Sequence, residues 1–210
     1  MFYLGRNESL PLRIAQVRTL LARGLRPERI IFVLLPIDFP PLATQPLSSI
    51  RVTARGALMH EPRMPRGPAA YLVNASAVAQ LAWIRSGRHV HDPGFRARDL
   101  MRQISPSLAR DSRTLLVVLR DEAATANAEL TVLVVPNREQ VFGTGGFALQ
   151  DTLATICAEE RIDYADARHF LSGESNPRSF FLPDWHFNPE GNRRLLAFLL
   201  MHLERESPQR

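Results

Sequence analysis

Two continuous apolar runs, each ending at a proline, most constrain the fold of this chain. The first covers residues 29–35 and stops at Pro36, and the second covers residues 130–135 and stops at Pro136. Runs of this length that are rich in β-branched residues are typical of strands buried on both faces of a sheet. The sequence therefore predicts a buried strand at each place.

Segments with a helical spacing of apolar residues lie between and beside these runs. The predicted elements are helices over residues 11–23, 69–84, 95–104, 108–126 and 149–160, a last helix that begins at Pro189, and a short strand over residues 162–166. Because strands that alternate with helices are joined by right-handed crossovers, this order predicts a parallel sheet. Helices on both faces of that sheet would make the fold class α/β, a three-layer α/β/α sandwich.

The chain has 210 residues, of which 45% are hydrophobic. This length is sufficient for one domain with a well-buried core but too short for two such domains. We therefore expect a single domain over residues 1–210. Residues 36–68 are rich in proline, serine and arginine and are predicted to form a long surface excursion. Residues 205–210 are expected to form a polar tail.

The net charge of +5 comes from arginine, because the chain contains no lysine. The arginines are scattered, and their densest region, residues 85–102, has a single aromatic residue, Phe95, and no nucleic-acid motif. We therefore expect no nucleic-acid partner. No apolar run is long enough for a membrane span, and residues 1–5 do not resemble a signal peptide. The compartment stays open: cytoplasmic as the chain stands, exported if an N-terminal segment precedes it.

Four further motifs are interpreted as structural. Cys157, on the apolar face of a predicted helix, is expected to be a small buried residue. Residues 89–92 contain two histidines in alternate positions, which could bind a metal, but a third ligand is not evident and a solvated loop is favoured. Residues 143–146 match no phosphate-binding fingerprint, so a turn is favoured, and Asp166 is expected to cap a helix, with a place in a cleft as the alternative. No metal and no cofactor are expected.

Asp184 and His186 lie two residues apart, directly before the last predicted helix. Asn188 suits an N-cap and Pro189 suits the first helical position. A carboxylate beside an imidazole can hold the tautomer of the ring while the ring takes a proton from a nucleophile. The alternative is that Asp184 only precedes the helix and that His186 is a partly buried polar residue of a surface loop.

Residues 180–192, which include this pair, resemble the C-terminal block of the SGNH (GDSL-type) hydrolases, in particular bacterial members that end in Asp-x-His-x-Asn-x-x-Gly. The more widespread form of the block has two residues between Asp and His, and this chain has one. Residues 5–12 resemble the second block of the family and residues 32–38 the third. The first block of the family is a strand that leads into Gly-Asp-Ser, whose serine is the nucleophile. This block is absent from the chain.

The resemblance implies a sheet without the family's first, central strand. That strand would lie between a strand that ends at residues 1–4 and the strand of residues 30–35. Its loss would leave backbone donors and acceptors without partners. We therefore expect either a gap at this place or direct pairing of the two segments.

The resemblance also implies a serine esterase or O-acyltransferase that acts on ester bonds, with acetylated carbohydrate as one candidate substrate. Asp184 would orient His186, and His186 would be the general base for a serine that is missing from this chain. Gly5, Asn7 and Asp38 are the candidates for oxyanion or substrate contacts. No other serine lies at a strand-to-helix elbow, so the chain alone is expected to be inactive or very slow. The alternative is a catalytically inactive SGNH-like domain that binds a sugar or a protein partner through the same cleft.

Overall fold

A computed structural model describes residues 10–36, 50–52, 58–60, 68, 102–143, 145–171, 173–182 and 186–206. The chain divides into two compact units. One unit comprises Met1–Arg26 with Asp38–Phe95, and the other comprises Pro27–Ile37 with Arg96–Arg210. The predicted helix over residues 69–84 lies outside the described residues, and so do residues 1–4 and 89–92.

The described chain contains five helices and five strands. The helices are α1 (Leu10–Ala22), α2 (Pro106–Thr125), α3 (Arg138–Val141), α4 (Ala148–Glu159) and α5 (Pro189–Glu206). The strands are β1 (Arg29–Leu34), β2 (Ile50–Val52), β3 (Leu58–His60), β4 (Glu129–Val134) and β5 (Asp163–Asp166). Two 3-10 turns, Ala167–His169 and Pro177–Phe180, follow β5. Among the described helices, none is long and apolar enough to cross a membrane.

The first unit contains α1 and a short antiparallel hairpin. Helix α1 ends in a Schellman pattern, because Gly24 has a φ of +94° and the Leu25 N–H donates to the Leu20 carbonyl at 3.1 Å. This confirms the predicted helix and its glycine stop. Strands β2 and β3 pair from Ile50 opposite His60 to Val52 opposite Leu58. The excursion predicted for residues 36–68 therefore includes a hairpin, whose three-residue strands are too short to leave a readable alternation in the sequence.

The second unit is built on a parallel sheet with the strand order β1-β4-β5. Strand β1 pairs with β4 from Arg29 opposite Glu129 onwards, and β4 pairs with β5 from Thr131 opposite Asp163 onwards. All three strands run in the same direction, so their carboxyl ends share one edge of the sheet. The prediction of an α/β fold with a parallel sheet is confirmed.

Burial differs between the two apolar strands. Strand β4 is buried from Thr131 to Val134, and because neighbouring side chains point to opposite faces, both of its faces are covered. In β1, Phe32 and Leu34 are buried whereas Ile31 is 40% exposed. The prediction that β1 is buried on both faces is therefore wrong at Ile31. The two strands differ in burial because β4 lies between two strands, whereas β1 is an outer strand of the described sheet.

Helix α4 shows how the helices supply the core. Its Leu149, Leu153 and Cys157 are fully or almost fully buried, at a helical spacing of four residues. Burial in apolar surroundings, and the nearby Asp163 carboxylate, raise the pKa of the Cys157 thiol to about 12. The thiol is therefore protonated near neutral pH and packs as an apolar group, as predicted.

Candidate functional site

The direction of α5 places the segment that precedes it at the carboxyl edge of the sheet. Near the end of α5, His202 Nε2 lies 2.8 Å from Asp163 Oδ1, at the first residue of β5. Just before the start of α5, the Phe187 ring packs 5.3 Å from the Phe170 ring, beyond the last residue of β5. Helix α5 thus runs antiparallel to β5. His186, next to Phe187, lies beyond the carboxyl ends of the strands.

Backbone hydrogen bonds close the chain into a loop around His186. The Leu182 N–H donates to the His186 carbonyl at 2.7 Å, and the Asn188 N–H donates to the Phe180 carbonyl at 2.9 Å. Phe181 and Phe187 form an antiparallel β-bridge between these two bonds. The His186 carbonyl and the two residues that follow it are therefore held in place, while the side chain of His186 is exposed.

Aromatic side chains pack beneath this loop. The centroid of the Phe181 ring lies 4.8 Å from that of the Phe187 ring and 5.4 Å from that of the Phe142 ring. Phe142 belongs to the turn after α3. Phe187 also packs against the buried cluster that includes Leu133 and Leu199. A loop fixed by a packed base with a polar side chain exposed above it is the usual arrangement of catalytic and binding loops.

The start of α5 agrees with its sequence signals. Asn188 Oδ1 accepts hydrogen bonds from the N–H groups of Glu190 at 3.0 Å and Gly191 at 2.9 Å, and Asn188 Nδ2 donates to the Ser179 carbonyl at 2.7 Å. Asn188 is therefore the N-cap and Pro189 the first helical residue, both as predicted. One residue fixes the helix start and also ties it to the 3-10 turn that leads into the loop.

The other predicted site residues lie outside the described part of the chain. These residues are Asp184, Gly5, Asn7 and Asp38. Their pairing with His186 therefore stays a prediction, whereas the position, exposure and backbone support of His186 itself are described.

Asp166 and Arg168 occupy the same carboxyl edge, after β5. Asp166 Oδ1 accepts from the Arg168 N–H at 2.9 Å and caps the 3-10 turn, so the predicted capping role is confirmed. The Arg168 guanidinium donates to Asp166 and to Asp151, each at 2.7 Å, and lies over the Phe147 ring at 4.9 Å. Both charges are thus engaged in a local ion network that braces the turn.

A second Asp–His pair was not predicted from the sequence. Asp163 accepts a hydrogen bond from Thr131 Oγ1 at 2.7 Å and pairs with His202, 39 residues further along. This pair lies at the amino end of β5, at the opposite end of α5 from His186. It anchors α5 on the sheet. The only sequence signal is a histidine between Met201 and Leu203 in a mostly apolar helix, which does not identify its partner.

Gly143, Gly145 and Gly146 lie in a turn region that a buried amide pair supports. Gln140 and Gln150 donate to each other's side-chain oxygens at 3.0 Å, and both are almost fully buried. Gln140 Nε2 also donates to the Gly146 carbonyl at 2.7 Å, while Gln140 Oε1 accepts from the Asn137 N–H at 3.0 Å. The turn interpretation is confirmed at the described residues of this segment.

Replacing Gln150 with leucine should lower the free energy of unfolding by about 1–3 kcal/mol, because the buried Gln140 amide loses two of its hydrogen bonds, one donated and one accepted. Urea denaturation measures this change. Gln103→Leu, the same substitution at an exposed position, is the control and should change stability by less than about 0.5 kcal/mol. Equal effects at the two positions would contradict the importance of the buried pair.

Comparison of the chain with protein-family models, with curated proteins and with solved structures gives no match. Among the described residues, His186, at the carboxyl edge of the parallel sheet, is the best-placed reactive side chain.

Proposed function

We propose that this chain contributes the Asp184–His186 part of an SGNH-type site that acts on ester bonds, as a serine esterase or an O-acyltransferase. The observation that carries the proposal is the exposed His186 on a fixed loop beyond the carboxyl ends of three parallel strands. Open α/β sheets bind their ligands at this edge. An imidazole held there can take a proton from a nucleophile on a neighbouring loop.

The fold that goes with this proposal is the three-layer α/β/α sandwich without the family's first strand. Two observations support it. Strand β4 is buried on both faces, which requires a covering layer on each side. Leu133 of β4 and Ala165 of β5 belong to the cluster that receives Leu199 of α5, so α5 supplies one of these layers.

In the proposed reaction, His186 accepts the proton of a serine hydroxyl as its oxygen attacks the ester carbonyl. The same proton then passes to the leaving alkoxide when the original ester bond breaks. Water or an acceptor hydroxyl takes the acyl group from the serine in a second, equivalent step, and Asp184 holds the imidazole orientation throughout.

The serine of this reaction would belong to a Gly-Asp-Ser segment, which this chain does not contain. Two serines of the described part are occupied by local structure. Ser112 Oγ is buried and donates to the Leu108 carbonyl at 2.7 Å, and Ser179 Oγ donates to the Asn176 carbonyl at 2.8 Å. Neither is placed on a strand-to-helix elbow.

The lack of Gly-Asp-Ser also favours a second candidate function. In it, the chain is a catalytically inactive SGNH-like domain that binds a sugar or a protein partner through the same edge of the sheet. The aromatic rings beneath the His186 loop would stabilise a binding surface as well as they would a catalytic one.

Labelling with a serine-directed fluorophosphonate separates the two candidates. The protein from the complete open reading frame is treated with the reagent, digested and analysed by mass spectrometry, and its turnover of p-nitrophenyl acetate is measured in parallel. The esterase predicts one phosphonylated serine and loss of turnover on labelling. A folded protein with neither adduct nor turnover would exclude the esterase and favour the binding domain.

A further inference from the structure

Helix α5 has an apolar stripe on the side that faces away from the sheet. Leu196, Leu200 and Met201 are 50%, 49% and 52% exposed, and Ala197 beside them is exposed as well. Residues three and four positions apart lie on one face of a helix, so these four residues are contiguous. Five large apolar side chains are exposed in the described part of the chain, and three of them lie on this stripe. The apolar exposure is therefore concentrated and not scattered.

Opposite charges stand at the two ends of the stripe. Arg193 lies three residues before Leu196, and Glu204 lies three residues after Met201, so both continue the same helical face. Both side chains are exposed. Arg193 pairs with Glu190 on its own helix at 2.7 Å, an exposed contact that is worth little and is easily exchanged. Glu204 forms no ion pair with any described residue.

We propose that a second copy of this chain covers the stripe, with the two α5 helices antiparallel about a two-fold axis. In this register Leu196 lies opposite the partner's Met201, and Ala197 lies opposite the partner's Leu200. Arg193 then meets the partner's Glu204, and by symmetry the same pair forms at the other end of the seam.

The charges specify both the orientation and the partner. A parallel pair would bring Arg193 against the partner's Arg193 and Glu204 against the partner's Glu204, which is repulsive. In the antiparallel pair each Arg193 meets a Glu204 and the apolar residues meet one another. The same helix face supplies both halves of this arrangement, so a second copy of the chain is a complementary partner. A single helix seam is smaller than a standard stable interface, so the dimer is expected to be weak, with a dissociation constant on the order of 10 µM.

Reciprocal charge reversal tests this arrangement in the full chain. Sedimentation equilibrium of the unmodified chain should show a monomer–dimer equilibrium. Arg193→Glu alone and Glu204→Arg alone should each weaken the dimer by about tenfold or more, because each places like charges at both ends of the seam. An equimolar mixture of the two variants should restore association as a heterodimer, and so should the double variant as a homodimer.

Two further variants keep the test specific. Arg205→Glu makes the same charge change on the exposed surface beside the stripe and should leave the dissociation constant within about twofold, since it faces no partner charge. Leu200→Asp should abolish the dimer. Because all these positions are exposed, thermal unfolding should confirm that each variant is folded. A wild-type chain that stays monomeric at about 100 µM, single reversals that leave the dimer unchanged, or a mixture that fails to reassociate would each overturn the proposal.

Discussion

Replacing His186 with alanine should lower kcat/KM for p-nitrophenyl acetate by about 10²- to 10⁴-fold in the protein that carries the serine. The expectation follows from the proposed role, because a serine hydroxyl without a general base is a weak nucleophile at neutral pH. The side chain is exposed, so its removal costs no core packing. The variant should therefore keep the unfolding temperature of the parent while it loses turnover.

His169→Ala is the matched control for this experiment. His169 is also exposed, and it lies on the 3-10 turn after β5, at the same edge of the sheet. Its ring contacts the Phe147 ring at 6.2 Å and has no place in the proposed reaction. This variant should keep kcat/KM within about twofold of the parent, a free-energy change below about 0.5 kcal/mol. A folded His186→Ala protein with full turnover, or equal losses in both variants, would contradict the role of His186 as general base.

Gly191→Ala should lower the free energy of unfolding by about 2–3 kcal/mol, although alanine is ordinarily the better helix former by about 1 kcal/mol. A Cβ at this position would lie 2.6 Å from the Phe180 carbonyl oxygen and 3.2 Å from Phe187 Cβ. The first contact is with backbone that is itself hydrogen-bonded to the Asn188 N–H, so it cannot move without opening the loop around His186. Urea denaturation followed by circular dichroism measures the loss.

Arg193→Ala is the control for Gly191→Ala. It introduces alanine two residues later in the same helix, at a side chain that is exposed, and should change stability by less than about 0.5 kcal/mol at a protein concentration too low for association. An unchanged or raised stability in Gly191→Ala would show that the Phe180 carbonyl can retreat and that the close approach does not constrain the loop.

The elements that the sequence predicted well are those whose signals are local. Asn188 and Pro189 fix the start of α5 because a cap and a preset φ act within one turn. Gly24 stops α1 for the same kind of reason. The predicted start of α2 was two residues late, although Ser105 and Pro106 provide the same signals. Ser105 Oγ accepts from the Leu108 N–H at 3.2 Å, and Pro106 is the first helical residue.

Features that depend on contacts between residues far apart in the chain could not be predicted from the sequence. Nothing local shows that Asp163 will meet His202, because the pairing exists only after α5 folds back along β5. The partial exposure of Ile31 has the same origin, since an apolar β-branched run looks alike in a strand flanked on both sides and in an outer strand. For Gly191, the local sequence gives no hint that the Phe180 carbonyl oxygen would lie only 2.6 Å from an added Cβ and so disfavours any side chain.

The sequence by itself determined a parallel α/β sheet, the bounds of α1, α2 and α4 and the start of α5 to within two residues, and an Asp–His motif before the last helix, because apolar periodicity and capping act over a few residues. Only the tertiary structure decided that His186 is exposed beyond the carboxyl ends of the strands, on a loop held by Phe181 and Phe187, and that α5 leaves an apolar stripe uncovered. Both outcomes depend on how α5 packs against β5, and that packing is the sum of contacts between residues far apart in the chain.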